Sequence, residues 1–293
     1  MVAVWRRAKQ MRAYRQFGEI WRAFMSNILV MGGDERMIYA AHGLSADTLF
    51  LGEQMNTNKK YDMIVLPVPL SRDGENVSCP IEKTSFPFCR ITEYAAENAR
   101  IFAGGNAEAL AKLCLENGYT LENYFQSEAL TLKNAKLTSE AAVMLLIQHS
   151  TGALLGSTAL ITGYGRIARF LARELSAFGC NVIIAARKRE ARVLAELDGF
   201  SAVDIGGISD VIGECNYIAN TAPSQLFSED VFAKMKEWTI YEELATLPRE
   251  PTKSLCEKHG GRYVFAGGLP GKFSPEAAGR FIAEEINNLI HDS

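Results

Sequence analysis

The sequence predicts an α/β fold of two doubly wound parallel-sheet domains, with the last helix crossing back to the first. Three observations predict it. Short apolar runs alternate with amphipathic stretches, the rhythm of parallel strands covered by helices. That rhythm runs twice, from Asn27 and again from Thr158. Between the two runs lies one long helix-like stretch, "KLTSEAAVMLLIQHSTGALLGS".

Composition sets the limits. With 293 residues, 48% of them apolar and 22% charged, the chain is long enough to bury two ordinary cores. A net charge of -3 and a pI near 5.9 give no electrostatic case for nucleic acid as a partner, since phosphate binding needs a clustered basic surface. Small molecules or proteins are expected instead. Cysteines 79, 89, 114, 180, 215 and 256 are scattered without a CxxC pair, which predicts reduced thiols and no metal site. No apolar stretch reaches the length of a membrane span, and the first residues lack the apolar region of a secretory signal. A cytoplasmic chain with no membrane partner is therefore expected.

Residues 1–25 read as a basic N-terminal extension, in which Arg6, Arg7, Lys9, Arg12, Arg15 and Arg22 alternate with Trp5, Tyr14, Phe17, Trp21 and Phe24. A disordered leader, or a start at Met25, is the plain reading; a helix lying on an anionic membrane or a partner is the alternative. A flavodoxin-like domain for substrate or partner is expected over 26–137, from the strand-like runs "NILVMGG", "YDMIVLPVPL", "ARIFAGG" and "YTLENYF". Thr138 or Ser139 then caps a bridging helix that opens at Glu140 and turns Ala142, Val143, Leu145 and Leu146 inward. The second domain, 138–273, carries "TALITG", "NVIIAAR", "NYIANTA", "WTIYEEL" and "RYVFAGG" as strands. Residues 274–293 complete the first domain: Ser274 caps a helix with Pro275 in its first turn, and Phe281, Ile282, Ile286, Leu289 and Ile290 make its apolar stripe.

The sharpest motif is "ALITGYGRIARFLARELSAFGCNVIIAARKRE". Gly163, Gly165 and Ala168 fit GxGxxG/A: the first glycine makes the turn, the second leaves room for a pyrophosphate, and Ala168 lets the helix approach the strand. The complete strand, turn, helix and second strand make this a Rossmann dinucleotide-binding unit. Gly163, Tyr164, Gly165, Arg166 and Ile167 would form the turn, its amides free for phosphate. Thr221 and Pro223, in "NTAPS" after a later strand, would add cofactor contacts. Where a carboxylate usually receives the ribose hydroxyl, the chain has Arg187 and Lys188. A guanidinium there suits a 2'-phosphate, so NADP is expected to be preferred over NAD.

"NILVMGGDERM", "YDMIVLPVPLSRDG", "SEAAVMLLIQHSTGALLGSTALITGYGRIA", "NTAPSQLF" and "FAGGLPGKFSPEAAGRFIAEEI" together resemble the A subunit of bacterial dipicolinate synthase, over essentially everything after Met25. The resemblance implies oxidation of a dihydrodipicolinate-type ring to pyridine-2,6-dicarboxylate during endospore formation, in partnership with a flavoprotein-like B subunit. The second half also resembles D-2-hydroxyacid dehydrogenases and S-adenosylhomocysteine hydrolase. The chain departs from the pattern at "IYEELATLPREP". There the resemblance leads one to expect Asp-Leu-Ala-Ser and then Pro-Gly-Gly; Glu243, Leu244, Ala245, Thr246 and Pro248 keep the outline, while Arg249 and Glu250 replace the glycines.

Aromatising such a ring removes a hydride and a proton, and a dicarboxylate must be held while it happens. Arg72 in "PLSRDG", Asn106 in "AGGNAEAL" and Lys272 in "GLPGKFSP" stand where strands run into loops, the ligand-binding side of open sheets; His149 is the candidate to take the proton. Each has a plainer role open to it: loop cation for Arg72 and Lys272, helix cap for Asn106, helix C-terminal charge for His149. A homo-oligomer is also expected. Two other functions stay open, a non-catalytic nucleotide-binding regulator, suggested by the altered loop, and a D-2-hydroxyacid dehydrogenase-like enzyme.

Overall fold

The computed structural model describes residues 27–50, 59–246 and 248–292; the basic stretch 1–25 lies outside the described residues. The chain divides into two compact units. One runs to Thr131 and takes up the segment from Pro275, and the other runs from Leu132 to Ser274.

The first unit contains β1 (Ile28–Met31), β2 (Asp47–Leu49), β3 (Tyr61–Val65), β4 (Asn76–Cys79), β5 (Thr84–Pro87), β6 (Ala95–Ala103) and β7 (Thr120–Asn123). Five of these make a parallel sheet in the order β2-β1-β3-β6-β7, and β4 and β5 pair as an antiparallel hairpin. Successive residues bury on opposite faces, as the strand period requires: Leu29, Met31 and Ile101 on one side, Ile28, Val30 and Phe102 on the other. β1, in the sheet interior and buried at every residue, reads as a continuous apolar run, and the C-terminal halves of β3 and β6 do so beside it.

The "GGDERM" stretch explains how the first helix, α1 (Glu35–Leu44), leaves β1. Gly32 and Gly33 hold φ of 71° and 102°, a conformation that favours glycine, and the Gly33 amide donates to the Ser78 carbonyl in the hairpin. Asp34 caps α1 through the Arg36 amide and also takes the Arg36 guanidinium (2.8 Å), which reaches on to the Val68 carbonyl. The helix Pro275–His291 lies against α1, where Gly43 and Gly279 leave room for the two backbones. Its stripe of Phe281, Ile282, Ile286, Leu289 and Ile290 joins the core of the first unit, as the sequence predicts.

α2 (Glu108–Asn117) begins after an N-cap at Ala107. Asn106 therefore does not cap it; its side-chain carbonyl accepts from Asn123 (2.8 Å) instead. α3 spans Glu128–His149 and starts well before the expected cap. Thr138 and Ser139 lie inside it and are buried, their hydroxyls bonding back to the carbonyls of Asn134 and Lys136. Hydroxyl residues that look like caps can satisfy themselves this way in mid-helix.

The second unit has β8 (Thr158–Thr162), β9 (Asn181–Ala185), β10 (Ser201–Val203), β11 (Tyr217–Asn220), β12 (Ile240–Glu243) and β13 (Arg262–Phe265), all parallel, in the order β10-β9-β8-β11-β12-β13. This is the doubly wound order of a Rossmann unit. α3 and α4 (Arg166–Ala177) cover one face through Ala142, Leu146, Ala168 and Leu171. α5 (Arg189–Leu197), between β9 and β10, adds Ala195 to that face, and the other face is closed by Ile208, Ile212, Phe232 and Cys256, the last from α6 (Thr252–Lys258). No helix among the described residues is long and apolar enough to cross a membrane.

Candidate functional site

The register of the second sheet lines up its strand ends. Ala185, Thr162, Asn220, Glu243 and Phe265 are paired in one rung at the C-terminal ends of β9, β8, β11, β12 and β13. Ligands of open parallel sheets bind along that edge, and it is where the order reverses between β8 and β11.

Gly163 follows β8 with φ of 80°, and Gly165 is the N-cap of α4. A side chain on Gly165 would enter open space, with no atom within 4 Å. That opening, beside the free amides of a helix start, fits the pyrophosphate of a dinucleotide. Ala168 is fully buried against the strand. Tyr164 in the turn donates to Asp198 (2.5 Å), which also faces Arg173 (3.5 Å), so the turn is tied to the end of α5. Arg166 and Ile167 open α4, and Thr221 donates through its hydroxyl to the Thr162 carbonyl (2.7 Å), placing it against the turn. Pro223 follows two residues on.

Arg187, Lys188 and Arg189 are exposed just past β9, with no carboxylate at ion-pair distance among the described residues. The backbone that carries them is fixed by Arg192, which donates to the carbonyls of Ala186 (2.8 Å) and Arg187 (2.9 Å) and pairs with Asp204 (2.8 Å). The middle of the rung is a buried polar chain. Thr162 donates to the Asn220 carbonyl oxygen, Asn220 donates to Glu243 (2.9 Å), and Glu243 accepts the Ala245 amide (3.2 Å). Burial pushes the Glu243 carboxyl above its usual range, against the opposing hydrogen bonds from Asn220, Ala245 and Tyr241. Sequence reading misses this chain, because only the strand register brings Thr162, Asn220 and Glu243 together.

Lys272 stands on the short helix Leu269–Phe273, its ammonium 5.8 Å from the Phe265 ring centroid. It thus belongs to the same sheet edge as the glycine turn. His149 does not. It ends α3 and lines a pocket with Tyr217, Ile240 and Arg262, the N-terminal ends of β11, β12 and β13, so it stands at the opposite edge of the sheet. There Arg262 donates to its carbonyl (3.3 Å), and burial, then the Arg262 charge, lower its pKa. The expected grouping of His149 with the residues of the glycine turn is not what the fold makes: α3 ends at the N-terminal ends of the strands, and its last residue cannot reach their far ends.

Arg72 lies in the first unit, in a pocket of about 600 Å³ lined also by Asp73, Lys83, Ser78, Thr84 and Ser85. Two cations and three hydroxyls make it an anion-receptive surface. The adjoining Asp73 is occupied within its own turn by Ser71 (3.0 Å) and the amides of Glu75 and Asn76, which hold its carboxyl below the usual range. Asn106 is engaged with Asn123 and does not line this pocket. No group of three metal-ligating side chains occurs among the described residues.

Comparison with known proteins agrees with this geometry. Residues 137–241 match the family of the D-isomer specific 2-hydroxyacid dehydrogenase NAD-binding domain. The A subunit of dipicolinate synthase from Bacillus subtilis is 25% identical over 283 residues, covering 90% of this chain and 95% of that one. The chain resembles that dipicolinate synthase component along nearly its whole length. The crystal structure of the same component from Bacillus halodurans has a TM-score of 0.77 at 22% identity, over 90% of this chain and 97% of that one. D-lactate dehydrogenase of Escherichia coli reaches 0.58 at 13% identity, over 90% and 96%; likeness at these identities establishes the fold. The second unit is a nicotinamide-dinucleotide-binding domain of the oxidoreductase type.

Proposed function

We propose that this chain oxidises a dihydrodipicolinate-type ring to pyridine-2,6-dicarboxylate as the NAD(P)-binding component of a dipicolinate synthase, together with a flavoprotein-like B subunit. The observation that carries the reading is the open glycine turn on a chain that is similar to the dipicolinate synthase A subunit over nine-tenths of its length. Gly163, Tyr164, Gly165, Arg166 and Ile167 would hold the pyrophosphate, with Thr221 and Pro223 beside the nicotinamide half. Bound there, the nicotinamide supplies a hydride acceptor. Arg187 and Lys188 would grip a 2'-phosphate, which favours NADP.

The remaining work falls to positioning. Because the product is aromatic, alignment matters more than a strong base. Asn220 is held from both sides by Thr162 and Glu243, which fixes the surface under the nicotinamide half. Lys272, on the sheet edge that carries the glycine turn, is a cation suited to a ring carboxylate, and Arg72 with Lys83 makes a separate anion-receptive pocket within the first unit.

The test is direct. Purified chain, NADP, a B-type flavoprotein and freshly made dihydrodipicolinate should yield dipicolinate, read by its ultraviolet absorbance. Cofactor binding without product in every combination would favour a nucleotide-binding regulator, the reading suggested by Arg249 and Glu250 in place of glycines.

A further inference from the structure

The loop that departs from the dipicolinate synthase pattern ends at the same ring as Lys272. Arg249 lies over the face of Phe265, its guanidinium carbon 4.1 Å from the ring centroid, and the Lys272 ammonium is 5.8 Å from that centroid. Phe265 is the last residue of β13 and is 36% exposed, so the ring is an open platform and not core. Its register partner is Glu243, whose partner in turn is Asn220 and then Thr162 beside the glycine turn. With strands about 4.8 Å apart, Phe265 stands roughly 14 Å along the edge from Thr162. Arg187 follows Ala185 on the other side of Thr162. One rung therefore carries cations at both ends of the track that a dinucleotide would occupy.

Neither Arg249 nor Lys272 has a carboxylate at ion-pair distance among the described residues. The nearest acids in sequence and register are engaged elsewhere: Glu250 accepts from the Ser254 hydroxyl (2.6 Å) and amide (3.2 Å), and Glu243 accepts from Asn220 (2.9 Å) and the Ala245 amide (3.2 Å). Two like charges sharing one ring repel unless an anion joins them. A guanidinium stacked on an aromatic face also has its rotation limited, and it presents its fork edgewise to a planar carboxylate. The Tyr263 hydroxyl, close enough for the Arg249 charge to bear on it, is buried without a hydrogen-bond partner.

We propose that Arg249 and Lys272, seated on Phe265, form a two-cation clamp for one carboxylate of the substrate, so that this loop sets the preference for a dicarboxylate over a monocarboxylate. The clamp rests on the proposed oxidation of a dicarboxylate ring and goes beyond it by naming the residue that selects. Arg249 is a specificity residue here, and its presence in place of glycine adds a contact and does not remove an activity.

The experiment uses the full chain saturated with NADP and titrates pyridine-2,6-dicarboxylate and pyridine-2-carboxylate by calorimetry. The unmutated chain should bind the dicarboxylate at least tenfold more tightly. Arg249→Gly and Lys272→Met should each weaken dicarboxylate binding about tenfold or more, shrink its advantage over the monocarboxylate, and leave the NADP affinity and the melting temperature nearly unchanged. Arg249→Lys, which keeps the charge and loses the fork, should fall between. Equal affinities for the two acids, no carboxylate binding at all, or an Arg249→Gly variant that still discriminates would each overturn the clamp. If NADP itself fails to bind, the nucleotide reading fails, and the same titration without cofactor still decides the clamp.

Discussion

Glu242 is a residue out of keeping with its surroundings. Strand alternation sends Glu243 to one face of the sheet and Glu242 to the other, where its register partners are Ala219 and Val264. It is fully buried and neither carboxylate oxygen has a hydrogen-bond partner, so desolvation raises its pKa well above the ordinary range. A carboxyl with a raised pKa in the folded state carries no ionisation penalty below its unfolded pKa. It then lowers stability as pH climbs toward the folded value, by about 1.4 kcal/mol per pH unit. Glu242→Met should therefore stabilise the second unit, and the gain should be larger at pH 7.5 than at pH 5 in urea denaturation. A gain that does not change with pH would mean that the carboxyl has a partner. Arg187 carries the second prediction at this scale. Charge-assisted hydrogen bonds to phosphate contribute roughly 1.5 to 3 kcal/mol each, so NADP should bind about tenfold or more tightly than NAD, and Arg187→Asp should erase or reverse the difference. Equal dissociation constants in the unmutated chain would show that the arginine stacks on adenine and does not read the phosphate.

At the scale of the element, the glycine turn and its helix act as one device. Gly165→Val places a branched side chain in open space, so the ligand-free unit should fold with its melting temperature within a few degrees, while dinucleotide binding is lost. Calorimetry checks both, and undiminished binding would put the cofactor elsewhere. The opposite holds for Gly279 in the helix Pro275–His291. A side chain there would meet Tyr39 (2.7 Å), the Ala40 amide (3.0 Å) and the Arg36 carbonyl of α1. Gly279→Val should cost the first unit about 1 to 3 kcal/mol, the usual range for overpacking. Hydrogen exchange should then quicken in α1 and spare β8 to β13.

These elements also show what is legible in the sequence. The long apolar runs mark the parallel strands, and the glycine spacing with its flanking strands marks the strand-turn-helix of the second unit. Not legible are β2 and β10, three residues each, and the β4-β5 hairpin, whose Asn76, Ser78, Thr84 and Ser85 hide its alternation. The start of α3 is misplaced because Thr138 looks like a cap and instead bonds back along the helix. The rung from Thr162 to Phe265 cannot be read at all, since register is a tertiary fact. For the same reason the sequence puts His149 with the cofactor residues: it lies only 14 positions before Gly163, yet a whole strand separates them.

At the scale of the molecule, sharing a fold does not share a reaction. The chain follows the fold of D-lactate dehydrogenase, with a TM-score of 0.58, and its second unit matches the 2-hydroxyacid dehydrogenase domain. Reduction of a 2-keto acid by that chemistry wants an arginine, a glutamate and a late histidine on successive loops, the histidine giving its proton to the carbonyl oxygen. Here the loop after β12 supplies Arg249 and Glu250, but Glu250 is spent on Ser254. The loop after β13 supplies Lys272 and no histidine. His259 precedes β13 by three residues, at the other end of that strand from Phe265, and faces Glu229 at 3.8 Å. Arg249 and Lys272 share the Phe265 ring as cations suited to hold a carboxylate, and no histidine among the described residues stands beside them to pass a proton to a keto oxygen. Pyruvate and longer 2-keto acids, mixed with the full chain and NADH or NADPH, should therefore leave the absorbance at the nicotinamide band unchanged. Steady turnover with any of them would place the chain with the 2-hydroxyacid dehydrogenases in activity as well as in fold, and would require a proton donor other than His259.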